Sequence, residues 1–337
     1  MAYVDLSEDA QALRRIFLSL GLADAGEDVH AVALTGGVSS GIYRVDLRSG
    51  RYCVKQALPK LKVAKDWTVP VERVFSEIAY LRTVQPVVPG YVPPVLGEDA
   101  TTRSFVMPFL GPEYRNWKAD LLAGRVDPAV ASTLGDVLGR IHAATADDAL
   151  LAQRFATDAN FHALRLEPYL VDTAREHPAL ASRLLALVER TAATRRVLVH
   201  GDVSPKNVLV GPGGPVLLDA ECAWYGDPAF DLAFCLNHFL LKVAHRPQHA
   251  AALMECWDAF LQAYWPHVRW ERQAGLEARV ATLLPGLTLA RVDGKSPVEY
   301  LDEPQRAAVR RCAIALLQDA PATLAAVAAH WTTGIAA

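Results

Sequence analysis

The sequence predicts an α+β chain of two lobes, a small antiparallel-sheet lobe followed by a larger, mainly helical one. Three observations point there. Short β-prone runs separated by Gly-containing turns crowd between Ala31 and Phe109. From Pro112 onward apolar residues recur at helical spacing. The 337 residues also exceed what one compact core comfortably holds. The expected boundaries are 1–107 for the N-lobe, 108–112 for a hinge and 113–337 for the C-lobe.

Residues 5–21 suit an opening helix with Leu6, Leu13, Phe17 and Leu20 on one side. Strands follow around Val32–Leu34, Ile42–Val45 and Tyr52–Val54, with a Ser-Gly turn at 49–50. Pro70 opens a helix over 70–84, since the first helical turn does not use the donor that proline lacks. Two more strands fit near Val95 and at Ser104–Met107. In the second lobe Asp127-Pro128 caps a helix to His142, and further helices fit 178–193, 229–244, 248–264, 270–283 and 304–317. Short strands near Val197–Val199, Val208–Val210 and Val216–Leu218 interrupt them.

The composition is that of a folded globular protein, 52% hydrophobic with a net charge of −3. A nucleic-acid partner is not expected from so mild an acidity. No apolar run approaches the roughly 20 residues that cross a bilayer, so no membrane association is expected. Residues 1–12 carry Asp5, Glu8 and Asp9 and do not read as a signal peptide. The five scattered cysteines form no C-x-x-C pair and read as buried hydrophobes of a reducing, cytoplasmic compartment.

The densest chemical signal is Val199-His200-Gly201-Asp202-Val203-Ser204-Pro205-Lys206-Asn207, then Leu218-Asp219-Ala220-Glu221 after a short hairpin. An Asp, an Asn and a second Asp in one neighbourhood suit phosphoryl transfer. One carboxylate orients the attacking hydroxyl and accepts its proton, while hard oxygen donors such as Asn207 and Asp219 suit magnesium. Glu221, two residues on, shares the strand face of Asp219 if the extended geometry continues.

In the first lobe the Gly- and Ser-rich turn with Gly36, Gly37, Ser39 and Ser40 lies between strands, where backbone N–H groups approach phosphate oxygens unobstructed. It is also compatible with a plain hairpin. Lys55, in the apolar run Tyr52-Cys53-Val54-Lys55, needs a counter-charge and suits contact with ATP phosphates. Glu77 is the expected partner, with Glu72 the alternative. If Met107 ends its strand behind an adenine, the Pro108 carbonyl and the Leu110 N–H face the base edge.

His-Gly-Asp-x₄-Asn, Asp-x-Glu and Gly226-Asp227-Pro228-x-x-Asp231-Leu232-Ala233 together resemble the aminoglycoside phosphotransferase and choline kinase superfamily. The specific match is confined to about residues 197–234. The resemblance implies a bilobal protein-kinase-like fold and an ATP- and Mg2+-dependent small-molecule kinase. In it Asp202 is the base, Asn207 and Asp219 are metal ligands, Glu221 is a second-metal candidate, and Asp231 is a buried brace of the catalytic loop.

The short link from Asp219 to Asp227 leaves no room for a peptide platform, so a small hydroxyl acceptor is expected. Trp224, Tyr225, Arg291, Asp293 and Glu299 are candidates for its site, although the last three equally suit helix caps. Aminoglycosides, amino sugars, choline-like amines and methylthioribose-like sugars remain open. A nucleotide-binding module without turnover is the alternative, disfavoured because such a module has no need of the base.

Overall fold

The computed structural model describes residues 4–34, 39–60 and 69–336. The chain divides into two compact units, Met1–Tyr114 and Arg115–Ala337.

The first unit is a five-stranded antiparallel sheet in the order β1-β2-β3-β5-β4, with strands Ala31–Ala33, Ser40–Leu47, Gly50–Ala57, Gly97–Asp99 and Ser104–Pro108 as β1 to β5. Its central strand pairs Val54 with Tyr43 on one side and Val106 on the other. The opening helix is shorter than its apolar stripe suggested, Ala10–Ser19, because Asp9 caps it by accepting from the Ala12 N–H. Its Leu13, Ile16 and Phe17 pack on Tyr43, Val45, Tyr52, Val54 and Val106. Buried Gln56 staples the preceding segment to the sheet. It accepts from the Leu6 N–H at 3.1 Å and donates to the Val4 and Thr102 carbonyls at 2.6 and 2.8 Å. The crossing helix is Arg73–Val84, preceded by a turn that begins at Pro70.

The second unit is built on helices. Pro128–Thr145 lies against Ala250–Tyr264 so closely that a Cβ at Gly135 would collide with the Phe260 carbonyl. Pro228–His245 is buried along nearly its whole length and packs on Gln273–Asp293, Glu303–Gln318 and Leu324–Ala336. Five short strands hold the loops: β6 (Arg115–Asn116), β8 (Val208–Gly211) and β9 (Gly214–Leu217) form one sheet, and β7 (Val197–Val199) pairs with β10 (Trp224–Gly226). Among the described residues no helix is long and apolar enough to cross a membrane.

Several stretches depart from expectation, two of them around a proline. The helix expected over 270–283 runs from Gln273 to Asp293, straight through Pro285. Proline removes one helical hydrogen bond and normally ends a helix, but here Ala281, Leu284, Leu287 and Leu289 around it are buried, and tertiary packing carries the chain onward. Residues 149–154 and 158–176, left without an assignment, are helical as well, including a wide π-helical segment His162–Val171 that contains Pro168.

Candidate active site

His200, Gly201 and Asp202 leave the buried strand β7 into a tight loop. Gly201 has φ +78°, and a Cβ there would sit 2.8 Å from the Cys222 carbonyl, so glycine is required for both backbone and space. Fully buried Asp231 holds the loop from below. Its two oxygens accept from the N–H groups of His200 (2.7 Å) and Gly201 (2.8 Å). His142 Nε2 lies 3.3 Å from the same carboxylate, and its Nδ1 is 2.8 Å from the Tyr264 hydroxyl. The His200 Nδ1 accepts from the Asp202 N–H at 3.1 Å. Burial pushes the pKa of that imidazole down, which keeps it neutral and able to accept.

Asp202 is itself buried, with 2% exposure. One oxygen, Oδ2, is engaged by Arg165 at 2.8 Å and Lys206 at 3.1 Å. The other, Oδ1, has no hydrogen-bond partner among the described residues. Burial works to raise the pKa of this carboxyl, but the charges of Arg165 and Lys206 outweigh it and hold it below the usual carboxylate range. Asn207 is oriented by its side-chain nitrogen, which donates to the Asp202 carbonyl at 3.1 Å, so its Oδ1 is the atom offered outward. The Asn207 carbonyl accepts from the Leu218 N–H at 2.8 Å, tying the loop to the segment that delivers Asp219.

Asp219 adopts φ +71°, a left-handed backbone that Asp tolerates better than most residues. The chain then turns, with the Ala223 N–H donating to the Ala220 carbonyl at 3.0 Å. The extended geometry assumed for Glu221 therefore ends at Leu217, and Glu221 does not continue the strand face toward Asp219. It is buried instead in the turn, with its carbonyl accepting from Asn160 at 2.8 Å.

In the first unit Lys55 Nζ lies 2.7 and 2.8 Å from the two carboxylate oxygens of Glu77, both side chains at 6% exposure or less. Glu72 is exposed and pairs with Arg103. Removing one partner of a buried pair leaves an uncompensated charge, at about 3–5 kcal/mol. Lys55→Met is accordingly expected to lower the melting temperature measurably as well as weaken nucleotide binding, and Lys55→Met/Glu77→Met to recover part of the stability but none of the binding. Equal melting temperatures for single and double variants would refute this. Ser39 and Ser40 are buried at the start of β2, where the Ser39 carbonyl accepts from Arg73 and from the Leu58 N–H. Gly36 and Gly37 of the expected phosphate turn lie outside the described residues. Pro108 closes β5 opposite Tyr52, and Leu110 follows in irregular chain.

The candidates for acceptor contact mostly take structural roles. Trp224 is buried, stacks on Phe161 at 4.3 Å and donates to Asp158. The Tyr225 hydroxyl donates to the Thr145 and Arg196 carbonyls and accepts from the Asp148 N–H. Both side chains are filled by the core, which corrects the expectation. Asp293 ends its helix paired with His177 and Arg310. Glu299 is exposed and pairs with Lys118. Arg291 lies over the Tyr169 ring and donates to Ser296. Sequence reasoning missed Arg165 altogether and left Lys206 unassigned, yet these are the two cations on Asp202.

A loop that presents a buried carboxylate beside an Asn and a second Asp, in a mainly helical unit preceded by an antiparallel sheet carrying a buried Lys–Glu pair, defines a kinase-like phosphotransferase fold. The family model described as "Phosphotransferase enzyme family" (APH) matches residues 30–270, and the chain belongs to that family. Among curated relatives it is 26% identical over 255 residues to a methylthioribose kinase of Erwinia tasmaniensis, covering 67% of this chain and 64% of that protein. The methylthioribose kinase of Klebsiella pneumoniae (strain 342) is 26% identical over 273 residues, covering 72% and 67%. The chain thus spans somewhat less than two thirds of the first of these relatives. Among solved structures it is similar to amicoumacin kinase hAmiN in complex with AMP-PNP, Ca2+ and Ami, with TM-score 0.58, 16% identity and coverage of 94% and 95%. Choline kinase LicA from Streptococcus pneumoniae follows the same fold, with TM-score 0.51, 15% identity and coverage of 92% and 98%.

Proposed function

We propose that the chain transfers the γ-phosphoryl group of ATP to a hydroxyl of a small molecule, with Asp202 as the base. The observation that carries this is the division of labour within one buried carboxylate. Oδ2 is fixed by Arg165 and Lys206, while Oδ1 is left to accept a hydrogen bond from an incoming hydroxyl. A carboxyl held below its usual pKa is a weak base, but phosphoryl transfer suits one. Its transition state is loose, so the base mainly orients the nucleophile and takes the proton late.

The donor set fits magnesium. Asn207 Oδ1 and Asp219 are hard oxygen donors, and no cluster of three His, Cys, Asp or Glu stands among the described residues to form an all-protein cage. Magnesium is commonly held in this way by one or two protein ligands plus substrate phosphates. When bound, it would neutralise phosphate charge, and Asn207 and Asp219 would hold it. In the first unit Lys55, oriented by Glu77, is assigned to the phosphates together with Ser39 and Ser40, and Pro108 and Leu110 to the base.

The test is ATP consumption across a pooled library of hydroxyl metabolites. Acceptor-dependent ADP release is expected, whereas nucleotide binding with no turnover on any acceptor would favour a non-catalytic module. Asp219→Ala should abolish the magnesium dependence of ATP binding in calorimetry. Retention of that dependence would remove Asp219 from the metal site.

A further inference from the structure

The second unit contains a small cavity beside the catalytic loop that the phosphotransfer reading does not use. Its wall includes Pro205 and Lys206 of that loop, Lys118, Arg291, and His238 and Lys242 from the buried helix Pro228–His245. Among the described residues no carboxylate lines it. The cations around it are unequally engaged. Lys206 turns to Asp202 and Lys118 to Glu299. Lys242, at 1% exposure, makes one long contact of 3.4 Å to the His238 carbonyl and no ion pair among the described residues. Its Nζ lies 5.4 Å from the centre of the Tyr300 ring, with Lys118 Nζ 5.8 Å from the same centre. The Tyr300 hydroxyl and the Arg291 Nε are buried without hydrogen-bond partners among the described residues.

A buried ammonium without a counter-ion is costly, and an anion beside it offsets that cost. Burial, then the charges of Lys118 and Arg291, push the Lys242 pKa down to about 7. The same surroundings drive His238 well below its ordinary value, so it stays a neutral donor or acceptor. An anion placed here would gain contact with Lys242, Lys118 and a phenolic donor, and would relieve the repulsion among them.

We propose that this cavity binds an anionic head group of the acceptor, so that the substrate is an alcohol bearing a carboxylate or phosphate. This rests on the phosphotransferase reading, because Lys206 links the two places: the residue lines the cavity, and its ammonium lies 3.1 Å from Asp202. An acceptor anchored by its anion then presents its hydroxyl at the neighbouring base. The cavity volume of about 20 Å³ is room for about one water-sized group, so it takes a single oxygen of the anion and not a sugar ring. A cationic acceptor such as choline would meet like charge, which discriminates strongly against a wrong partner.

The test measures binding and turnover separately on the full chain. Calorimetry with D-glycerate, gluconate and glycerol 3-phosphate, against neutral glycerol and cationic choline, reads binding. An anionic alcohol is expected to bind at least tenfold more tightly than glycerol. Lys242→Met and Lys118→Gln are each expected to weaken it roughly tenfold, while the affinity for MgATP stays within twofold. Thermal melting checks that each variant is folded, and Lys118→Gln, at a partly exposed side chain, serves if Lys242→Met does not fold. A preference for glycerate or gluconate identifies a carboxylate, and for glycerol 3-phosphate a phosphate. No binding of any of the three anions, or equal binding by a folded variant, overturns the proposal. Phosphorylation of choline or an aminoglycoside with no anionic acceptor used also overturns it, leaving the kinase reading intact. Anion binding without phosphorylation of any acceptor in the pooled library instead leaves the cavity assignment standing and removes the kinase reading.

Discussion

Asp202→Asn is expected to bind MgATP nearly as the wild type does and to lose turnover by roughly 10²–10⁴, the scale of a lost general base. The amide keeps the shape of the carboxylate but cannot take the hydroxyl proton. It also removes the charge that faces Arg165 at 2.8 Å, where the guanidinium side chain is only 8% exposed. A buried charge without its partner costs several kcal/mol, so a fall in melting temperature should accompany the kinetic loss. The pH dependence has a definite sign. The folded-state pKa of Asp202 is lowered, so ionised Asp202 stabilises the fold above the ordinary carboxylate pKa. That contribution is lost as the pH falls through the depressed value. Wild type and variant should therefore converge in stability at acid pH and diverge toward neutrality. Steady-state kinetics, calorimetry and melting curves check this. Abolished ATP binding in Asp202→Asn, with magnesium-dependent binding intact in Asp219→Ala, would reverse the two roles.

Asp231→Asn is expected to be nearly as damaging, although Asp231 touches no substrate in this reading. Its two oxygens satisfy two backbone N–H groups at zero exposure. An amide offers an oxygen to one of them and turns its own NH₂ toward the other. An unsatisfied buried donor costs about 1–3 kcal/mol and loss of the charged acceptor adds to it, for a total of roughly 2–5 kcal/mol. A melting decrease on the order of 5–15 °C follows for a unit of this size. Because the same bonds fix the loop that aims Asp202, a shift of about 1 Å would lower kcat by roughly 10²-fold. Wild-type melting and kinetics in Asp231→Asn would show that the loop is held by β7 and Gly201 alone.

What could be read from the sequence was local. His200 to Asn207 and Asp219 lie within a few residues of one another or across a short hairpin, so spacing alone brings them together. The pairing of Lys55 with Glu77 was also accessible, since an apolar strand and a helical line each leave one polar side chain facing inward. Arg165 was not. It reaches Asp202 from 37 positions away, on a π-helical segment whose Pro168 and wide turns erase the 3.6-residue period. The strand-face geometry expected for Glu221 failed for the opposite reason, because the strand on which it depended ends at Leu217. Arg291 and Asp293 were expected in a polar loop, but burial carried their helix past Pro285 and gave both side chains internal partners. Long-range packing decided these positions, and no spacing rule records it.

Every residue from Ala220 to Ala244 is buried. For anyone seeking to alter this protein by directed evolution, this has a practical meaning. A library spread over that stretch would consist largely of unstable variants, because each position is already fitted to several neighbours and tolerates few changes of volume. Diversity is better placed at Lys118, Lys295, Ser296, Pro297 and Glu299, where exposed or partly exposed side chains can vary without dismantling the helix behind them.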